Sequence, residues 1–239
     1  MNIVEQLFTP FVSKTKKIRL GNNSDGGYIV LKEPISSVKK LISFGVGQNI
    51  EFELQIENNY DITTDMFDGE PDYWAFPDLK DIPTGAVVKI SNKKMNYHKY
   101  HVTKHNINSI LPEDDFILKM DVEGAEWEIL REINDTTMEK MKMLAIEFHF
   151  GNYDCYTKNN PYDIIDVLTK LKNTHTLIHV HGNTNGGFVE NMKLPAVLEC
   201  CYVLNEYATN EIDMSEYPIL DLDYPNLPFH TELSHTWWK

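Results

Sequence analysis

The chain has 239 residues, 42% of them hydrophobic and 24% charged, with 36 acidic against 22 basic side chains and a formal charge of −14. That length and mix suit one α/β domain or two small ones. The acidic excess repels phosphate polymers and anionic lipid, which excludes a general nucleic-acid binder and a membrane-surface protein.

In chain order, MNIVEQLFTPFVSKTKK has neither the apolar core nor the small-residue cleavage site of a signal peptide. No later run approaches the roughly 20 apolar residues that a membrane span needs. SDGGY (24–28) is a turn around Gly26 and Gly27. LISF (41–44) reads as a buried strand, followed by a loop in which Gly45 and Gly47 permit positive φ and close backbone approach. Apolar residues at helical spacing in IEFELQIE (50–57) put a helix N-terminus after that loop. Such a loop cradles a nucleotide or a nucleoside-like cofactor, but the dinucleotide fingerprint wants a third glycine where Ile50 stands. The strand DITTDMF (61–67) ends at Asp68, a little over twenty residues past the loop. An acid there accepts hydrogen bonds from ribose hydroxyls, with Asp65 as its competitor.

The stretch 69–85 is irregular, aromatic and acidic, and AVVKI (86–90) is a further strand. FILKMD (116–121) stops at Asp121, with Glu123 two residues on and so on the same side if the strand continues. GAEWEILREI (124–133) is a helix whose Glu126 and Glu128 suit the positive end of its dipole, with Glu128 in reach of Arg131. KMLAIEFHF (142–150) carries Glu147 and His149 to its end. PYDIIDVLTKLK (161–172) is a helix opened by proline and closed by lysines. TLIHVHG (176–182) ends near His179, His181 and Asn183, and AVLECCYVL (196–204) is the last strand. Cys155, Cys200 and Cys201 make no disulfide framework, and the adjacent pair reads as core. The tail 205–239 holds His230, His235, Trp237 and Trp238 and reads as docking on its own domain or on a second subunit of a homodimer.

Strands alternating with helices predict one α/β domain, with residues 1–37 as an N-terminal extension and a mostly parallel sheet covered on both faces. Ligands of such sheets bind at the carboxyl ends of the strands, where Asp121, Glu147, His149 and His181 gather. Two chemistries fit that gathering. In one, neutral His149 is a general base on a substrate hydroxyl and Asp121 orients it. In the other, Asp121, His149 and His181 hold a divalent metal such as Mn or Mg. The metal-free reading is preferred. A dinucleotide-dependent oxidoreductase and a non-catalytic cofactor-binding domain are the alternatives from other classes.

LKMDVEGAEWEIL resembles the signature of the FkbM-type S-adenosylmethionine-dependent methyltransferases. SFGVGQNIEFE is similar to their cofactor loop and MFDG to their ribose-acid segment. NNSDGGYIVL, IEFHF and HVHGNT are similar to segments of one branch, so the resemblance spans about residues 20–200. It implies a Rossmann-like class I fold, a seven-stranded sheet with its last strand antiparallel. It also implies methyl transfer, usually to oxygen, on a carbohydrate or nucleotide-activated sugar in surface polysaccharide assembly, with another small metabolite as the alternative acceptor. Cofactor contacts then fall to Phe44, Gly45, Gly47, Asp68 and Asp121, and substrate contacts to Asp25, Tyr28, Glu123, Glu147 and Asn183. The expected catalytic residues are Asp121, His149 and His181, in a soluble cytoplasmic enzyme that binds neither nucleic acid nor membrane.

Overall fold

The computed structural model describes residues 3–47, 49–70, 82–90, 94–150, 161–189, 193–234 and 237–239. Most of the stretch 69–85, together with Cys155 and His235, therefore lies outside the described residues. Helix Ile3–Leu7 (α1) and strand Phe11–Ser13 (β1) lead into a hairpin of Lys17–Leu20 (β2) and Tyr28–Leu31 (β3), then helix Lys32–Ser37 (α2). Lys40–Phe44 (β4), Glu51–Asn59 (α3), Thr63–Phe67 (β5), Val87–Lys89 (β6) and Met95–His98 (β7) follow. Next come Ile107–Ile110 (α4), Phe116–Met120 (β8), Glu126–Glu132 (α5), Asp135–Met138 (α6) and Met141–His149 (β9). Pro161–Thr174 (α7), His175–Gly182 (β10), Val197–Leu204 (β11) and Ala208–Ile212 (β12) complete the described elements.

The central sheet has eight strands in the order β10-β11-β9-β8-β4-β5-β7-β6. Strands β9, β8, β4, β5 and β7 run parallel. Strand β11 is inserted antiparallel between β10 and β9, and β6 is an antiparallel edge on β7. The expected count of seven is thus exceeded by one. AVVKI forms the short extra edge strand β6, whereas the parallel strand β7 comes from MNYH, whose polar residues disguise it.

Period-two alternation sends successive side chains to opposite faces. On one face Phe116, Leu118 and Met120 of β8 join Leu144, Ile146 and Phe148 of β9, Cys200 and Tyr202 of β11, and the apolar stripes of α5 and α7. On the other, Ile117, Met143, Ala145, Cys201 and Val203 pack under Phe52 and Ile56 of α3 and under the β2–β3 hairpin. The adjacent Cys200 and Cys201 therefore serve opposite cores. The C-terminal segment is stitched on at several points. Strand β12 pairs with β1, Trp237 and Trp238 are buried, and the Trp238 indole N–H donates to the Asp213 carbonyl at 3.0 Å. No described helix is long and apolar enough to cross a membrane.

Candidate active site

Sheet register builds one side of the site. His181 of β10 lies opposite Glu199 of β11, and Glu199 opposite Glu147 of β9. Asp121 follows one residue beyond the Met120–Ile146 pair of β8 and β9. These polar residues form a row along the carboxyl edge, on the face that the β2–β3 hairpin covers. Tyr28, the first residue of β3, donates its hydroxyl to Asp121 Oδ2 at 3.5 Å. Asp25, in the hairpin turn, comes within 4.8 Å of Glu147 and Glu199, carboxylate to carboxylate. Asn183 donates to Glu147 Oε1 at 2.8 Å.

The chain turns sharply after β8. Glu123 has φ 55° and Gly124 φ 106°, so one non-glycine residue is held in the left-handed region. Glu126, fully buried, keeps the turn closed: its Oε1 accepts from the amides of Val122 (3.0 Å) and Gly124 (3.1 Å). The same oxygen takes His149 Nδ1 at 3.2 Å, while His149 Nε2 faces Glu123 (3.3 Å) and Glu147 (3.9 Å). Burial opposes a charge on this imidazole, but the carboxylates of Glu126, Glu147 and Asp121 outweigh it and raise its pKa to about 9. His149 is therefore an imidazolium at neutral pH, whereas a general base would have to be neutral. Burial pushes the Asp121 carboxyl up to about 6, against the pull of Lys119 and His149. Burial and its acidic neighbours push Glu147 well up.

Across the crevice, Gly45 has φ 68°, and a Cβ there would sit 1.5 Å from the Asp121 carbonyl oxygen, so only glycine lets the loop pass β8. Asp68 Oδ2 accepts from the amides of Val46 (3.1 Å) and Gly47 (3.0 Å), and its Oδ1 from that of Glu70 (2.9 Å). Lys119, buried in β8, donates to the Gly45 carbonyl and stands 3.8 Å from Asp121 Oδ2. Between these groups lies a cavity of about 710 Å³, large enough for a nucleoside-sized ligand.

Of the residues named from the sequence, Asp25, Tyr28, Gly45, Gly47, Asp68, Asp121 and Glu123 line this cavity. Phe44 reaches the site only through its carbonyl, which accepts the Asp121 amide at 3.0 Å. Its ring is in the core. His181 stands apart: it is buried, with Nδ1 at 2.9 Å from Glu199 and Nε2 at 2.9 Å from Glu232. The proposed metal set Asp121, His149 and His181 does not converge. Among the described residues, the ligand-type atoms within 4.8 Å of one another form two sets, Asp121, Glu123 and His149, and Asp25, Glu147 and Glu199, and His181 belongs to neither. Glu128 pairs with Lys104 at 3.1 Å rather than with Arg131. Sequence reading passed over Lys119 and Glu199, although each is a lone charge inside an apolar strand. It took Glu126 for an ordinary helix-start acid, although a glutamate two residues after a Gly turn can reach back to free amides.

No curated protein matches the chain significantly. Among solved structures, an rRNA methylase from Streptococcus thermophilus is 11% identical, with 72% of this chain and 92% of that one covered at a TM-score of 0.39. The plantazolicin methyltransferase BamL, solved with a triazolic desmethylPZN analogue and SAH, is also 11% identical, covering 70% and 77% at 0.38. Overlap this loose transfers neither substrate nor activity. The Methyltransferase FkbM domain model, by contrast, matches residues 11–175, from β1 to the start of β10. That span takes in every residue that lines the cavity and more than half of the chain, and it makes this protein a member of the FkbM methyltransferase family.

Proposed function

We propose that the protein is an S-adenosylmethionine-dependent O-methyltransferase whose acceptor is a hydroxyl of a carbohydrate, including a nucleotide-activated sugar. The observation that carries this reading is the meeting of the glycine loop, Asp68 and Asp121 in one cavity at the carboxyl ends of β4, β5 and β8. When bound, the methyl donor supplies an electrophilic methyl on a sulfonium and leaves as a neutral thioether. Asp68 is suited to accept from ribose hydroxyls while it braces the loop amides, and the surrounding carboxylates favour a sulfonium cation. Asp121, with its pKa near 6, is ionised at neutral pH and takes the hydroxyl proton as the oxygen bonds to the methyl carbon. His149 is a positioning residue here, a cation fixed by Glu126 that holds Asp121 in its anionic form.

Asp25 and Glu123 in the cavity wall offer acceptors to sugar hydroxyls, with the buried Glu147–Asn183 pair outside the lining, and Tyr100 and His101 offer flat faces for a ring. The phosphates of a nucleotide sugar would have to extend away from this acidic wall.

Incubation with deuteromethyl-labelled donor and a panel of nucleotide sugars and glycosides, read by mass spectrometry, is expected to give one labelled methyl on oxygen. Transfer to amines and to none of the carbohydrates would overturn the acceptor class. Turnover is expected to survive EDTA, because this reading gives proton removal to the Asp121 carboxylate, which needs no metal. Loss of turnover that Mn or Mg restores would replace the base with a metal.

A further inference from the structure

Glu53, the third residue of α3, follows the glycine loop and lines the cavity. An acid in the first turn of a helix is ordinarily a solvated partner of the dipole. This one is 1% exposed. Its Oε1 accepts the Ser43 hydroxyl at 2.5 Å, and its Oε2 is buried without a hydrogen-bond partner among the described residues. Buried carboxylate oxygens are rarely left unsatisfied, so an orphan in a cavity wall marks a place where a donor is missing.

We propose that Glu53 receives the α-ammonium of the methyl donor's amino-acid end, through the oxygen that Ser43 leaves free, directly or across one water. The other acceptors on the loop side already have roles. Lys119 donates to the Gly45 carbonyl, and Asp68, which accepts the Val46, Gly47 and Glu70 amides, is assigned to the ribose. Asp121 stands across the loop at the end of β8, beside Tyr28 and Lys119, where the methyl must be delivered. Glu53 keeps one buried oxygen free beside the loop, with capacity for a cationic donor. Ser43 sets the rotamer, so the charge is aimed before the ligand arrives.

This assignment rests on the S-adenosylmethionine reading above, and its test separates the two. Calorimetry would compare S-adenosylhomocysteine, its analogue lacking the α-amino group, and 5′-methylthioadenosine, which lacks the amino-acid end altogether. The wild-type protein is expected to bind the deaminated analogue at least about tenfold more weakly than S-adenosylhomocysteine, the range of a charge-assisted hydrogen bond. Glu53→Gln should lose about tenfold to hundredfold for S-adenosylhomocysteine and keep its affinity for 5′-methylthioadenosine. Equal wild-type affinity for the amino and deaminated ligands overturns the assignment, even if the variant does not fold. So does an equal loss of both nucleosides in Glu53→Gln, which would make the residue a brace for the loop. Failure of the wild-type protein to bind any of the three removes the donor reading itself, and the assignment with it.

Discussion

Two ionisations at the end of β8 and β9 divide the labour that the sequence assigned to one histidine. Glu126 and its acidic neighbours lift His149 to about 9, while burial lifts Asp121 to about 6, so the pair is an imidazolium beside a carboxylate across most of the physiological range. Asp121→Asn should lower kcat by about 10² to 10⁴, the usual worth of a general base, with cofactor affinity in calorimetry nearly unchanged. The wild-type kcat should rise with pH through a limb near 6 as Asp121 loses its proton. The His149 cation lowers that pKa, so His149→Gln should move the limb upward. A limb that stays in place would deny His149 its positioning role. Asp121 was legible because a carboxylate at the end of an apolar strand is hard to explain by propensity alone. Glu126 was not, since dipole complementarity accounts for any acid in a first helical turn. Only its 0% exposure and its grip on two amides distinguish it.

At the scale of elements, the strands that carry the site are bolted to the C-terminal segment by buried polar pairs. Asp223 meets His179 at 2.8 Å, Glu232 meets His181 at 2.9 Å, and Asn226 donates to Glu199 and to Asp25. Burial opposes a charge on His181, but Glu199 and Glu232 raise its pKa to about 10. A histidine raised above its ordinary 6.5 contributes its full stabilisation below that value and loses it as pH climbs through the folded pKa. The segment around Glu232 should therefore loosen near pH 10, read as faster hydrogen exchange there against a protected β9. Glu232→Gln should show the same loosening at pH 7. Exchange that is flat across this range would mean that packing of Trp237 and Trp238, not the ion pair, holds the segment. None of this was legible, because pairing between β10 and residues some fifty positions later leaves no periodicity. Glu199 hid likewise inside AVLECCYVL, and the register opposite Glu147 and His181 is what gives it meaning.

For the molecule as a whole, alternation of apolar runs with helical stripes was enough to foresee the layered α/β plan. Strand β7 escaped because Met95 and Tyr97 are buried while Asn96 and His98 are only partly so, a pattern too short to register. With a charge of −14, the protein should reject polyanions yet welcome a sulfonium. S-adenosylhomocysteine at about 100 times its Kd should add about 2.7 kcal/mol of stability, a rise in Tm of about 5–10 °C for a domain of this size. NAD should leave Tm unchanged, and Asp68→Ala should abolish the shift; stabilisation by NAD alone would reverse the assignment of donor. The two walls of the crevice also differ in when they can exist. The donor side is drawn from Gly45 to Asp121, whereas Asp25 and Glu199 on the acceptor side are pinned by Asn226. A ribosome delivers the first wall about a hundred residues before the last pin of the second. The acceptor side is thus the last part of the crevice to be completed as the chain is made.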